Sequence, residues 1–271
     1  MADLGCSLGP NTLLVGSMVL DAVAKTSLEM GFKSPEVQIN LNDLPTNDFN
    51  TIFIALQDLQ MPELEEINKG NIYLSSTSPE SVSRAYFEQF QKDFLRFLRC
   101  RSEEVMAGGR MVLTVAGRTT DDPRDEESNR LWRPFTMALQ DMVYEGLVEE
   151  EKLDSFNLPQ FTASPTEIMN LVKMEGSFAI DHLEIFDVNW DAWKRKKNEK
   201  LSQLKESTED DGGVGHGVAK AIRAGIESLV ANHFGEAILD DVFKRYGQII
   251  TDRRSESHEL VSITVSLTRK M

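Results

Sequence analysis

Asp3 is followed by Gly5 and Cys6, then by Gly9, Pro10 and Asn11 at the start of an apolar-periodic run. Glycines let a backbone approach a ligand closely, and a helix start beyond them offers N–H groups that no helical carbonyl takes. An acid in such a loop accepts a hydrogen bond from a cationic or hydroxylated ligand. A second acid, Asp43, follows the alternating run Val37-Gln38-Ile39-Asn40-Leu41. Loop, helix, strand and acid in that order make half of a βαβ unit, and the acid at the second strand's end is where such folds meet a ribose. A carboxylate matches a vicinal diol with two charge-assisted hydrogen bonds. The pattern is therefore that of a nucleotide-type cofactor site, although it is not the dinucleotide string G-x-G-x-x-G. The same residues also suit an ordinary strand-to-helix turn, with Asn11 as a helix cap and Asp43 as a strand-end cap.

The elements that must position these residues are legible in outline. A helix is expected over 12–30, with Leu13, Leu14, Met18, Val19, Ala22 and Val23 on one face, and a strand over 37–41. A short helix over 51–60 and a strand over 72–75 follow, with no room between them for the further strand that a parallel sheet would place there. The junction near Gln60 and Met61 is therefore anomalous. Residues 79–106 make the strongest helix, with Phe87, Phe90, Phe94, Phe97 and Leu98 as a core stripe. Gly108-Gly109 stops it, and 110–115 reads as a central strand. After a polar loop over 118–130, helices are expected over 131–148 and from Pro165, the latter with Ser164 and Glu167 in capping-box spacing. A strand over 177–188, a charged linker over 193–213, helices over 216–231 and 235–252 and a strand over 260–267 complete the chain.

Composition narrows the partners. Among 271 residues, 29 Lys and Arg face 44 Asp and Glu, a formal charge of −15. That balance disfavours nucleic acid and anionic membrane surfaces and favours small-molecule or protein partners. Cys6 and Cys100 fit neither a disulfide framework nor a metal-ligand spacing, which points to a reducing, cytoplasmic compartment. Cys6 suits its loop as a small apolar residue better than as a reactive thiol. No apolar run is long enough for a membrane span. His182, His216, His233 and His258 are scattered, so no nucleophile–base–acid set forms and no catalytic residue is assigned.

Longer stretches carry a resemblance. Residues 2–12 (Ala-Asp-Leu-Gly-Cys-Ser-Leu-Gly-Pro-Asn-Thr), 41–50 (Leu-Asn-Asp-Leu-Pro-Thr-Asn-Asp-Phe-Asn), Asn68-Lys69-Gly70, 94–99, 108–114, 149–159, 175–178, 233–238 and 265–267 resemble the plant SABATH methyltransferases, and the likeness covers essentially the whole chain. It implies an α/β fold, a Rossmann-like methyltransferase sheet with an α-helical cap. The sheet domain would comprise 1–118, 176–192 and 256–271, and the cap 119–175 and 205–252. It also implies S-adenosyl-L-methionine as cofactor, with Asp3, Gly5, Cys6 and Asn11 at its methionine end, Asp43 on the ribose and Leu44 on the adenine. Leu131, Trp132, Ile222, Gly225 and Leu260 match substrate-wall positions, and Trp132 equally suits plain core packing. Relatives that take salicylate often carry Met, Val and Phe where this chain has Ile222, Gly225 and Leu260. Asn68, Asp154, the Phe156 carbonyl and Asn157 match a structural Mg²⁺ site, although 152–157 also reads as a turn after a helix. The family further implies a homodimer. Two family segments, one amino-terminal and one expected between residues 60 and 68, have no match here.

The implied reaction moves a methyl group from S-adenosylmethionine to the carboxylate of a small acid of benzoate, salicylate, jasmonate or indole-acetate type. The alternatives are N-methylation of a xanthine- or pyridine-type substrate, or a truncated, inactive paralogue that binds a ligand. A carboxylate is already a nucleophile at neutral pH, so the rate rests on in-line placement in a dry pocket.

Overall fold

The computed structural model describes residues 2–4, 10–32, 35, 40–42, 68–189, 213–253 and 259–271. The chain divides into two units, Met1–Leu59 and Gln60–Met271. The division falls at the anomalous junction near Gln60 and Met61.

In the first unit, β1 (Ala2–Leu4) and β2 (Asn40–Asn42) pair in parallel, with Ala2 opposite Asn40 and Leu4 opposite Asn42. The helix α1 (Pro10–Glu29) connects them, as a βαβ crossover requires. Pro10 opens α1, where its missing N–H costs nothing and its fixed φ suits the first helical position. Of the apolar face expected on α1, Val19 and Val23 are half-buried, whereas Met18 and Ala22 are exposed. The helix expected over 51–60 lies outside the described residues.

The second unit runs α2 (Glu80–Glu104), β3 (Arg110–Ala116), α3 (Trp132–Tyr144), α4 (Glu150–Ser155), α5 (Pro165–Glu175), β4 (Phe178–Asn189), α6 (Gly213–Phe234), α7 (Leu239–Asp252) and β5 (Glu259–Arg269). A single 3₁₀ turn, Glu236–Ile238, joins α6 to α7. The strands form an antiparallel sheet in the order β3-β5-β4. The expected linker over 193–213 lies outside the described residues except for Gly213, which opens α6.

Several expectations are corrected. Residues 72–75 are not a strand, because their backbone bonds go to scattered partners instead of a neighbouring strand: Asn68 Nδ2 donates to the Tyr73 carbonyl (2.9 Å), the Ser75 N–H donates to Ser78 Oγ (2.9 Å), and the Leu158 N–H donates to the Ile72 carbonyl (2.7 Å). β3 is not central among the described residues. It stands at the edge of its sheet, and its burial alternates because only one face meets helices. α3 stops four residues earlier than expected, at a turn through Gly146 with φ +74°. The stretch around Asp154 is the short helix α4 rather than a turn. Phe97 is exposed on the outer side of α2, with the Arg101 guanidinium over its ring at 5.5 Å.

Two apolar clusters organise this unit. One joins α3, α4, α6 and α7 through Trp132, Phe135, Leu139, Val230, Val242 and Tyr246. The other joins α2 and α5 to the sheet through Phe94, Leu98, Phe178, Ile263, Val265 and Leu267. Each fully buried large apolar side chain contributes on the order of 1.5–3 kcal/mol. α5, within the span 119–175 assigned to the cap from the sequence, packs Ile168, Leu171 and Val172 on the sheet side. Its ends are as the sequence demands: Ser164 and Glu167 form the capping box, and Gly176 takes the left-handed conformation at φ +87°. Among the described residues, no helix is long and apolar enough to cross a membrane.

Candidate cofactor and substrate site

The parallel pair β1–β2 ends at Leu4 and Asn42, the residues immediately before Gly5 and Asp43 in the chain. Parallel pairing therefore brings the strand carrying Asp3 alongside the strand that leads into Asp43. Gly5, Cys6, Asp43 and Leu44 themselves lie outside the described residues. Asn11 is the second residue of α1, so it stands past the capping position considered for it.

The wall candidates divide. Trp132 opens α3 and is buried at 8% exposure in the helical cluster; Leu131 and Ile222 pack against the same cluster. Gly225, one turn beyond Ile222 on α6, is exposed, and a Cβ built there meets nothing within 4 Å. Leu260 is half-buried in β5, paired with Val188 of β4, and belongs to the sheet instead. The structure thus gathers Leu131, Trp132 and Ile222, keeps Gly225 on the same helix, and leaves Leu260 apart. The approach to Trp132 is ordered by the buried Asn129. Its carbonyl accepts the Trp132 N–H (3.0 Å), and its Nδ2 donates to the carbonyls of Pro123 and Asp125, both at 3.1 Å.

The residues resembling a metal site also converge. Asn68 is fully buried; its Nδ2 also reaches Asn157 Oδ1 (3.4 Å), and its Oδ1 accepts the Ser78 hydroxyl (2.7 Å). Asn157 Oδ1 also accepts the Tyr86 hydroxyl (3.2 Å), and Asp154 Oδ1 accepts the Gly70 N–H (2.7 Å). The Phe156 ring packs against the rings of both His233 and Phe234, each centroid 5.0 Å away. An all-oxygen set suits a hard cation; Asn68 Oδ1, which accepts one hydrogen bond, keeps a second lone pair, whereas Asn157 Oδ1 already accepts two. Only one carboxylate is present, and among the described residues no three His, Cys, Asp or Glu side chains gather to hold a metal. Burial pushes the Tyr86 hydroxyl well above its ordinary range, so it stays a neutral donor here.

Two of the histidines are placed by their contacts. The His233 Nε2 lies 2.8 Å from the Lys152 carbonyl and 3.3 Å from Ser155 Oγ, which fastens α6 to α4. His182 is exposed beside Glu184. His258 lies outside the described residues.

One organising residue escapes pattern reading. Arg118, only 1% exposed, donates from Nε to the Thr120 carbonyl (3.0 Å) and from Nη1 to the Thr162 carbonyl. Its Nη2 reaches the Asp121 carbonyl (3.2 Å) and Glu167 Oε1 (2.7 Å), and the guanidinium lies over the Phe161 ring. Arg118 thereby fixes the start of the loop that leads to Leu131 and Trp132. The only sequence signal was a lone arginine after an apolar strand, which has no period to detect.

Known proteins match the chain throughout. Residues 1–66 and 60–270 match the family described as SAM dependent carboxyl methyltransferase. The salicylate carboxymethyltransferase of Clarkia breweri is 42% identical over 311 residues, covering 100% of this chain and 84% of that protein. A Petunia hybrida benzoic acid/salicylic acid carboxyl methyltransferase is 40% identical, with 99% and 85% covered. A probable jasmonic acid carboxyl methyltransferase of Theobroma cacao is 36% identical, with 100% and 86% covered. Among solved structures, loganic acid methyltransferase with SAH superposes at a TM-score of 0.73 and 25% identity, with 100% of this chain and 84% of that chain covered. The Clarkia alignment is longer than this 271-residue chain, so that relative carries residues with no counterpart here.

Proposed function

The chain belongs to the S-adenosylmethionine-dependent carboxyl methyltransferase family, and on that premise we propose that its acceptor is a small acid with a cyclic or flat apolar body, of benzoate, salicylate, jasmonate or indole-acetate type. A carboxylate oxygen attacks the sulfonium methyl carbon, the carbon–sulfur bond breaks, and the electron pair returns to sulfur. The products are a methyl ester and S-adenosylhomocysteine, and no proton changes hands. Opposite charges cancel along this path, so a dry apolar wall favours it. The observation carrying the choice of acceptor is the convergence of Leu131, Trp132 and Ile222 in one apolar cluster. Asp3, Gly5, Cys6 and Asn11 are proposed to line the methionine end of the cofactor, Asp43 the ribose and Leu44 the adenine. Gly225, on the same helix as Ile222, and Leu260, from the separate strand β5, are proposed to contact the substrate as well.

The test is incubation with methyl-labelled S-adenosylmethionine and a panel of these acids, followed by mass spectrometry of the products. A labelled ester that mild base hydrolyses is the expected result. A base-stable product would instead indicate methylation at nitrogen. A second reading, a ligand-binding protein without turnover, is favoured by one observation: the family match comes in two stretches that overlap at 60–66, and the Clarkia relative carries residues with no counterpart in this chain. Binding of S-adenosylhomocysteine by titration calorimetry, lost in Asp43→Ala, with no ester from any acid, would select that reading.

The cluster of Asn68, Asp154, Phe156 and Asn157 is proposed to take Mg²⁺ as a tie between the 68–78 loop and α4. A rise in Tm with millimolar Mg²⁺ that Asp154→Asn abolishes is expected; no rise would sink the idea. A homodimer is proposed as well, and light scattering at micromolar concentration checks it.

A further inference from the structure

α6 and α7 pack as an antiparallel hairpin whose register is set by small residues. A Cβ on Gly215 would overlap the Gly247 carbonyl oxygen and the Thr251 hydroxyl, so the two backbones touch at that level. Further along, Arg223 Nη1 meets Asp240 Oδ1 at 2.7 Å. Between these two contacts lies a groove of about 490 Å³, within the size range of small-molecule sites. Ala219 and the Phe243 ring form its apolar part; His216, Lys220 and Lys244 are its basic residues without a carboxylate partner among the described residues.

Charge is distributed unevenly in this groove. Arg223 lines it but is spent: its Nε donates to Glu227 (2.6 Å), Asp240 takes its Nη1, and it stacks 5.5 Å above Phe243. The same contact neutralises Asp240, the one acid that lines the groove. The Gln248 amide is held by Asp252, and the Thr251 hydroxyl donates to the Gly247 carbonyl. Among the lining residues, Lys220, Arg223 and Lys244 outnumber the single acid Asp240 and leave a net positive charge over an aromatic floor, in a chain whose formal charge is −15. On α6, Lys220 and Arg223 face this groove, whereas Gly225 is two residues further round the helix from Arg223, at about 200° by the helical repeat. The lysines of the groove thus lie on a different side of α6 from Gly225, while its floor, Ala219 and Phe243, belongs to the apolar cluster against which Ile222 packs.

We propose that the α6–α7 groove binds a small organic anion, a phosphate or carboxylate carried on a flat ring, with the anionic group between Lys220 and Lys244 and the ring against Phe243 and Ala219. Titration calorimetry of the full chain with phenyl phosphate, benzoate and inorganic phosphate tests it, against Lys220→Gln/Lys244→Gln and the charge-keeping Lys220→Arg/Lys244→Arg. Both lysines are exposed, so neither variant disturbs the core. Phenyl phosphate or benzoate should bind saturably, weaken at least tenfold in the glutamine variant and recover in the arginine variant; whichever binds more tightly identifies the head group. Benzoate bound at the substrate wall survives both double variants, so only the lost component counts. Affinities equal in all three proteins, or no saturable binding of phenyl phosphate or benzoate to the parent chain, would overturn the proposal. Inorganic phosphate binding as tightly as phenyl phosphate would overturn the part assigned to the ring.

Discussion

Arg118 and Tyr246 are both enclosed by protein, yet their polar atoms fare in opposite ways. Arg118, at the junction of β3 with the 118–131 loop, engages all three guanidinium nitrogens. Tyr246, in the helical cluster, has a buried hydroxyl with no hydrogen-bond partner among the described residues. Its ring does the packing, edge-on to Phe135 at 5.4 Å. The loops of this unit are fixed by buried polar hubs, Arg118, Asn68 and Asn129, while the α3, α6 and α7 helices are fixed mainly by apolar contact that tolerates an orphan donor. Loops have no repeating face to bury, so their shape must come from directional bonds; helices have such a face and need few.

The contrast yields graded tests. Arg118→Met removes one partner of a buried ion pair and should cost about 3 kcal/mol, seen as a lower urea midpoint. A loss under about 1 kcal/mol would mean that the hub is not what fixes the loop. In the cap, Gly215→Ala forces α6 away from α7 because the overlap is with backbone, which no rotamer relieves. A net loss of about 1–2 kcal/mol is expected after alanine's better helix propensity is counted. Tyr246→Phe should be neutral or stabilising by up to about 1 kcal/mol, since no hydrogen bond is lost and a buried hydroxyl is removed. Clear destabilisation would show that the hydroxyl has a partner in solution, such as a buried water.

The smallest effect belongs to Glu145, which tethers the end of α3 to α7 through Arg245, both bonds at 2.8 Å. The hydrogen bond from Arg245 holds the Glu145 carboxyl below its ordinary value of 4.5. A depressed carboxylate contributes stability above its unfolded value and loses it as pH falls through the folded one. Glu145→Gln should therefore lower Tm slightly at neutral pH, with the gap closing as the pH drops below 4.5. A gap independent of pH would assign the effect to packing.

What could be read from the sequence follows the same division. The start of α5 was legible to the residue, because Ser164, Pro165 and Glu167 are local signals with local causes. The helical cap was legible as periodic runs. The apolar text of 72–75 misled, since Asn68 and Ser78 satisfy its backbone from outside the run. β3 reads as a buried strand, but its place in the sheet depends on pairing with Leu267 and its neighbours, far along the chain. Leu131, Trp132 and Ile222 became wall candidates only through resemblance, because apolar residues on helices look alike whether they meet a ligand or each other. Arg118 gave no warning at all.

Glu167 ties these themes together in one carboxylate. Its Oε2 closes the first turn of α5 by accepting the Ser164 N–H at 2.7 Å, and its Oε1 receives Arg118. In a deep mutational scan, positions 118 and 167 should therefore be epistatic: the double substitution should cost less than the sum of the two single ones. Glutamine at 167 would spare the helix cap yet lose the ion pair, so the two duties of one side chain can be inherited, or lost, separately.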